Sequence, residues 1–127
     1  MAVTQVQAME VAAAFAAATK AGDAQGVEAL GEPGAVVWHN YDSTEVSLSE
    51  SGKVLRWMHR TVTDLAWEDM AIQPTPTGFV WQAVVTGSVE GRRLAAPTCV
   101  IATIATSGLI TRVEEYLDLA TTSALRG

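Results

Sequence analysis

The chain is 127 residues long, 49% apolar and formally −6 in charge at neutral pH. That length suits a single domain, residues 1–127, with one core. The acidic balance excludes nucleic acid as an expected partner, because phosphates select basic surfaces, and no apolar run approaches the roughly 20 residues of a membrane span.

The Ala-rich stretch Val11–Ala18 is too short to cross a membrane, and only neutral residues precede it as far as Glu10. It therefore lacks the basic region of a secretory leader, and the expected location is the cytoplasm. Cys99 is the one cysteine. It excludes an internal disulfide and any multi-cysteine metal site, and its apolar surroundings predict a buried, inert thiol.

Thr4-x-x-Gln7 has the form of a capping box and starts a helix near Gln5, which runs to about Lys20 and ends at Gly22. Asp23 caps a short second helix, Ala24 to Leu30, closed by Gly31 and the Gly-Glu-Pro-Gly turn. Ala35–Tyr41 is β-branched and aromatic and reads as a strand. Ser47-x-x-Glu50 opens a third helix to about Val62. On its wheel Val54, Trp57, Met58, Thr61 and Val62 share one face, with Leu55 at the edge and Lys53, Arg56 and Arg60 opposite.

From Asp64 the texture changes to strands: Leu65–Gln73, Phe79–Val89, Leu94–Ala105 and Leu109–Leu119. Pro74–Gly78, Glu90-Gly91 and Ser107-Gly108 separate them with turn chemistry. Connections this short predict antiparallel neighbours. Ala120–Leu125 reads as a helical turn or a frayed tail. The order ααβαββββ is an α+β architecture, a cone-shaped curved antiparallel sheet wrapped by N-terminal helices around an apolar pocket.

That order, with Val37-Trp38-His39-Asn40 on the first strand and Arg112-Val-Glu-Glu-Tyr-Leu-Asp118 on the last, resembles the SnoaL-like family of the nuclear-transport-factor-2-like superfamily. The resemblance covers nearly the whole chain. It implies a small-molecule cavity, but the superfamily houses cyclases, isomerases, dehydratases and hydrolases, so fold does not give function. Limonene epoxide hydrolase is the nearest local comparison. There the resemblance matches Asn40 to a water-holding asparagine and Asp118 to an acting aspartate, with Trp38 replacing a tyrosine. The Arg-x-Asp that completes that relay is missing, since the third strand offers Gln82-Ala-Val-Val-Thr86. Ketosteroid isomerase chemistry lacks its parts too: the first helix holds Phe15 and no tyrosine.

Asp118 is the first catalytic candidate, a strand-end carboxylate whose pKa would rise by desolvation in an apolar pocket; the alternative is a cap on the Ala120 turn. His39 and Asn40 follow. Alternation lets only one of this adjacent pair face the cavity. The resemblance points Trp38 and Asn40 inward, which leaves the titratable His39 as an outward, structural histidine. Trp38, Trp57, Met58, Thr61, Trp81 and Tyr116 are the expected substrate-binding residues, bulky or amphipathic groups on elements placed around the cavity. His59 flanks the apolar arc of its helix as a surface residue.

Two histidines without spaced acidic partners predict no metal, and the absence of glycine-rich phosphate loops predicts no nucleotide cofactor. Two functions fit. One is a cofactor-free enzyme using acid/base chemistry on an apolar small-molecule ligand (cyclase, isomerase, dehydratase or hydrolase type). The other is a non-catalytic module that binds an apolar ligand or dimerises. A homodimer is expected in either case: the resemblance implies a second copy on the outer sheet face, and these strands are apolar on both faces.

Overall fold

The computed structural model describes residues 3–126, so the first two residues and the last of the predicted domain lie outside it. Helix α1 spans Gln5–Ala21 and α2 Ala24–Ala29; β1 (Gly31–His39) and β2 (Glu45–Ser47) precede α3 (Leu48–Thr61). Four long strands follow: β3 (Thr63–Thr75), β4 (Gly78–Val89), β5 (Arg92–Ile104) and β6 (Ile110–Leu117). A 3-10 helix, Leu119–Arg126, ends the chain.

The predicted caps form. Thr4 Oγ1 accepts the Gln7 N–H at 3.1 Å while Gln7 Oε1 accepts the Thr4 N–H at 3.0 Å, closing the box at α1. Asp23 Oδ1 accepts the Gly26 N–H at 2.9 Å, and Ser47 Oγ the Glu50 N–H at 3.1 Å. The end of α2 differs from expectation: Leu30 is its C-cap in right-handed geometry, and the Gly-Glu-Pro-Gly segment belongs to β1. Gly34, at φ 86, lies within the register shift between Gly31 and Val36.

Six strands form one sheet in the order β2-β1-β6-β5-β4-β3. The antiparallel prediction holds from β3 to β6, where connections are short. It fails at β1, which runs parallel to β6, with Val37 beside Val113 and His39 beside Glu115. The reason is physical. A strand whose neighbour lies far along the sequence is free of the hairpin constraint, so connection length says nothing about its direction. The sheet is therefore mixed and open, and β2, a three-residue edge strand, was not expected.

Concave-face side chains meet the helices. Phe15 of α1 packs against Phe79 and Trp81 of β4, ring centres 5.8 and 6.1 Å apart. With Val37, Ile110 and Val113 they form the main core cluster. A second cluster, Val62, Val85, Val89, Leu94 and Ala96, is closed by Ala124 of the 3-10 helix. Gly78 is required where β4 meets β5: a Cβ there would run into the Ala102 carbonyl.

Helix α3 turns its predicted face to the cavity, which Val54, Leu55, Trp57 and Met58 line. Leu48, Gly52 and Val62 at its C-cap are buried, whereas Val54 is 57% exposed and Trp57 38%. Gly52 lets α3 pack closely on α2, since a Cβ there would stand 3.1 Å from that of Ala24. Cys99 is also less buried than expected, because it points to the convex face beside Gln82 and Tyr116. Among the described residues no helix is long and apolar enough to cross a membrane.

Candidate active site

The concave face and the elements folded over it enclose a cavity of about 540 Å³, within the roughly 300–1,000 Å³ typical of small-molecule sites. Its walls are apolar: Trp81 and Val85 from β4, Leu94, Ala96 and Val100 from β5, Leu55 and Met58 from α3. Titratable groups gather at the end of β1. His39, Tyr41, Asp42 and Glu115 all line the cavity there.

The parallel register of β1 and β6 creates this cluster. Side chains alternate along a strand, so Ala35, Val37 and His39 share the inner face of β1, and Val113, Glu115 and Leu117 that of β6. His39 Nε2 lies 3.5 Å from Glu115 Oε1. Both side chains are largely covered, at 18% and 30% exposure. The backbone beyond is held as well: the His39 N–H donates to the Thr44 carbonyl at 3.2 Å, and the Ser43 N–H to the His39 carbonyl at 2.9 Å. Asp42 Oδ1 closes the turn by accepting the Thr44 N–H at 2.8 Å.

Glu115 raises the His39 pKa above its ordinary 6.5, partial burial opposes this, and Asp42 adds to the rise. The imidazole therefore holds its proton to higher pH than an unperturbed histidine. The Tyr41 ring lies 5.2 Å from that of His39. Its hydroxyl is pushed above the usual phenol value by burial and then by Asp42 and Glu115, so it stays protonated at neutral pH. A neutral His39 that donates Nε2–H to Glu115 keeps Nδ1 as a free base. This arrangement can take up and return one proton.

The predicted catalytic set divides. His39 lines the cavity, contrary to the outward placement expected for it. Asn40 and Asp118 do not. Asn40 is exposed, and its Oδ1 accepts the Leu117 N–H at 2.9 Å, continuing the β1–β6 ladder with a side chain. Asp118 is exposed and caps the 3-10 helix, its Oδ1 accepting the Ala120 N–H at 3.0 Å and its carbonyl the Thr121 hydroxyl at 2.6 Å. A strand that ends at Leu117 leaves its next residue to start the helix, and the carboxylate satisfies one of the first free N–H groups, that of Ala120.

The binding set divides the same way. Trp57, Met58 and Trp81 line the cavity; Trp81 is 2% exposed and its Nε1–H donates to Asp69 at 2.9 Å. Thr61 is half-buried outside it. Trp38 and Tyr116 pack on each other on the convex face, ring centres 5.4 Å apart. His59 is half-buried, stacked on Trp67 at 5.7 Å, with Nε2 at 3.1 Å from the Thr19 carbonyl. Sequence reasoning missed Glu115, Tyr41 and Arg126 as cavity residues. Among the described residues no three His, Cys, Asp or Glu side chains stand close enough to share a metal ion.

No protein-family model and no curated protein matches this sequence. Solved structures do match in shape. An LEH-like epoxide hydrolase from M. tuberculosis superimposes with a TM-score of 0.73 at 19% identity, over 97% of this chain and 92% of that one. A protein described as a SnoaL-like polyketide cyclase from Shewanella denitrificans gives 0.74 at 16% identity, over 97% and 98%. IdmH of Streptomyces antibioticus, described as a polyketide cyclase, gives 0.78 at 16%, over 95% and 99%. At such identities the likeness establishes architecture alone: this chain shares the fold of these solved structures.

Proposed function

We propose that this chain is a cofactor-free enzyme that moves a proton on an apolar small molecule held in the cavity. The carrying observation is the His39–Glu115 pair on an otherwise apolar wall, 3.5 Å apart and largely covered. Neutral His39 takes a proton from a C–H bond next to a carbonyl; the electron pair of that bond moves into the carbonyl as an enolate. Glu115 stabilises the imidazolium, and the Tyr41 hydroxyl, protonated and lining the same end of the cavity, donates to the enolate oxygen. Return of the proton to a second carbon completes an isomerisation. Attack of the enolate on another carbonyl, followed by protonation of the alkoxide, completes a ring closure.

The epoxide-hydrolase relay is not part of this reading. The concave positions of β4, Phe79, Trp81, Ala83 and Val85, carry no charge. The neighbours in shape include cyclases and an epoxide hydrolase, which supports a small-molecule site without choosing the reaction.

Deuterium uptake tests the reading. A panel of cyclic ketones and β-diketones in D₂O should show catalysed exchange at the α-carbon for at least one member. His39→Gln should slow that exchange by about 10²- to 10⁴-fold. Binding without exchange for every member would favour the second reading, a carrier of apolar ligands, which the β4 and β5 walls, apolar apart from Thr98, also accommodate.

A further inference from the structure

The charged groups around the cavity sort by element. Asp42 and Glu50 lie at the β1–β2 turn and the start of α3, and both are engaged: Asp42 with the Thr44 N–H at 2.8 Å, Glu50 with Lys53 at 3.0 Å. Glu115 faces His39. Arg126 differs. It lines the cavity from the 3-10 helix, which packs on β5 and β4, and it has no acidic partner among the described residues.

Its guanidinium is nonetheless held in place. Nη1 donates to the Thr122 hydroxyl at 2.7 Å and Nη2 to the Leu119 carbonyl at 3.0 Å. Thr122 is itself buried, at 9% exposure, and donates to the same Leu119 carbonyl at 2.7 Å. Two of the five guanidinium N–H donors are thus used as anchors, which leaves three to be shared between solvent and ligand. A guanidinium stays protonated at any working pH, and its planar fork matches a carboxylate. Leu119 and Leu125 line the cavity beside it and provide the apolar contact that a ligand body would make.

We propose that Arg126 binds an acidic group, a carboxylate, on the ligand, so that the molecule enters with its apolar body in the cavity and its anion at the 3-10 helix. This rests on the reading of the cavity as a small-molecule site and adds the charge class of what it accepts. Arg126 is then a specificity-determining residue. Its two internal bonds keep the fork aimed before the ligand arrives, which reduces the ordering cost of binding.

Three probes of one shape test this by calorimetry at pH 7.5: 2-naphthoate, 2-naphthamide and 2-naphthylmethylamine. The carboxylate should bind at least about tenfold tighter than the amide, with the gap narrowing as salt is added. Arg126→Gln should bring that ratio to about one while leaving amide affinity intact. Arg126→Lys should keep part of the preference, and Arg126→Glu should transfer it to the amine. An unchanged ratio in Arg126→Gln, or an amide that equals the carboxylate in the native protein, overturns the anion site and leaves the cavity reading standing. If none of the three binds, the cavity reading falls and this one with it.

Discussion

His39 and Glu115 face each other across the β1–β6 seam because those strands run parallel and in register, so the same alternation turns both side chains into the cavity. Neither residue is near the other in sequence. The pair exists only through the pairing of the fold's first long strand with its last.

The first prediction concerns the imidazole itself. The chain has two histidines, so their proton resonances can be followed separately. Glu115→Gln should move the His39 titration down toward 6.5, since the carboxylate is the main cause of its rise. The linkage has a definite sign. A His whose folded pKa exceeds its unfolded value contributes stability fully below about pH 6.5 and loses it as pH climbs through the folded pKa. The native protein should therefore lose a little stability as pH rises above about 6.5, by well under ~1 kcal/mol for a partly exposed pair, and Glu115→Gln should flatten that slope. A His39 midpoint unmoved by the substitution would show that the pair does not couple.

Asp118 separates structure from chemistry. As a cap on the 3-10 helix, Asp118→Ala should cost about 1 kcal/mol in denaturant melts, and Asp118→Asn a few tenths, because asparagine caps nearly as well. Exchange at the ketone α-carbon should survive both. Loss of turnover in a folded Asp118→Asn protein would restore the carboxylate to the reaction and displace His39 from it.

The inverted faces of β1 and β6 mark where sequence reading stops. On β6 the signal was present: Val113 and Leu117 share one parity, while Arg112, Glu114 and Asp118 share the other. Apolar parity inward puts Glu115 in the cavity and Tyr116 and Asp118 outside. The resemblance to an aspartate-bearing last strand pointed the other way, and local alternation prevailed. On β1 no such signal exists, because Ala35 to Trp38 is apolar at every position. Its direction was equally hidden, since parallel pairing with β6 spans most of the chain. Caps, helices and the β3–β6 meander were legible because each is decided by neighbours within a few residues. Arg126 was not, because its role depends on how the chain end folds back over β5.

The convex face carries the next prediction. Trp38 and Tyr116 pack there beside Cys99 and Ile101, with Arg112 bonded to both Glu45 and Glu114 at the border. Apolar residues ringed by both signs of charge suit a self-complementary contact, and the expected occupant is a second copy across a two-fold axis. Sedimentation at micromolar concentration should give twice the 13.4 kDa chain mass. Trp38→Glu should return it to the monomer without altering the cavity. A native monomer would remove the dimer.

Asp69 and Trp81 tie the cavity floor to the first helix. Trp81 Nε1–H donates to one carboxylate oxygen at 2.9 Å while Lys20 of α1 meets the other at 2.8 Å. Lys20 and then Trp81 hold the Asp69 pKa below its usual value. Asp69→Ala leaves the indole N–H of a nearly inaccessible tryptophan without its acceptor, at a cost of about 1 to 2 kcal/mol. Asp69→Asn keeps an acceptor and gives up only an exposed ion pair, so it should cost well under ~1 kcal/mol. A depressed carboxylate contributes stability above its unfolded value near 3.8 and loses it as pH falls through the folded pKa, so the gap between native and Asp69→Asn proteins should close in acid. The decisive measurement is the double-mutant cycle with Trp81→Phe. If Asp69→Ala costs as much in the Phe background as in the native one, the hydrogen bond does not hold the floor, and the α1 contact must be assigned to Phe15 packing alone.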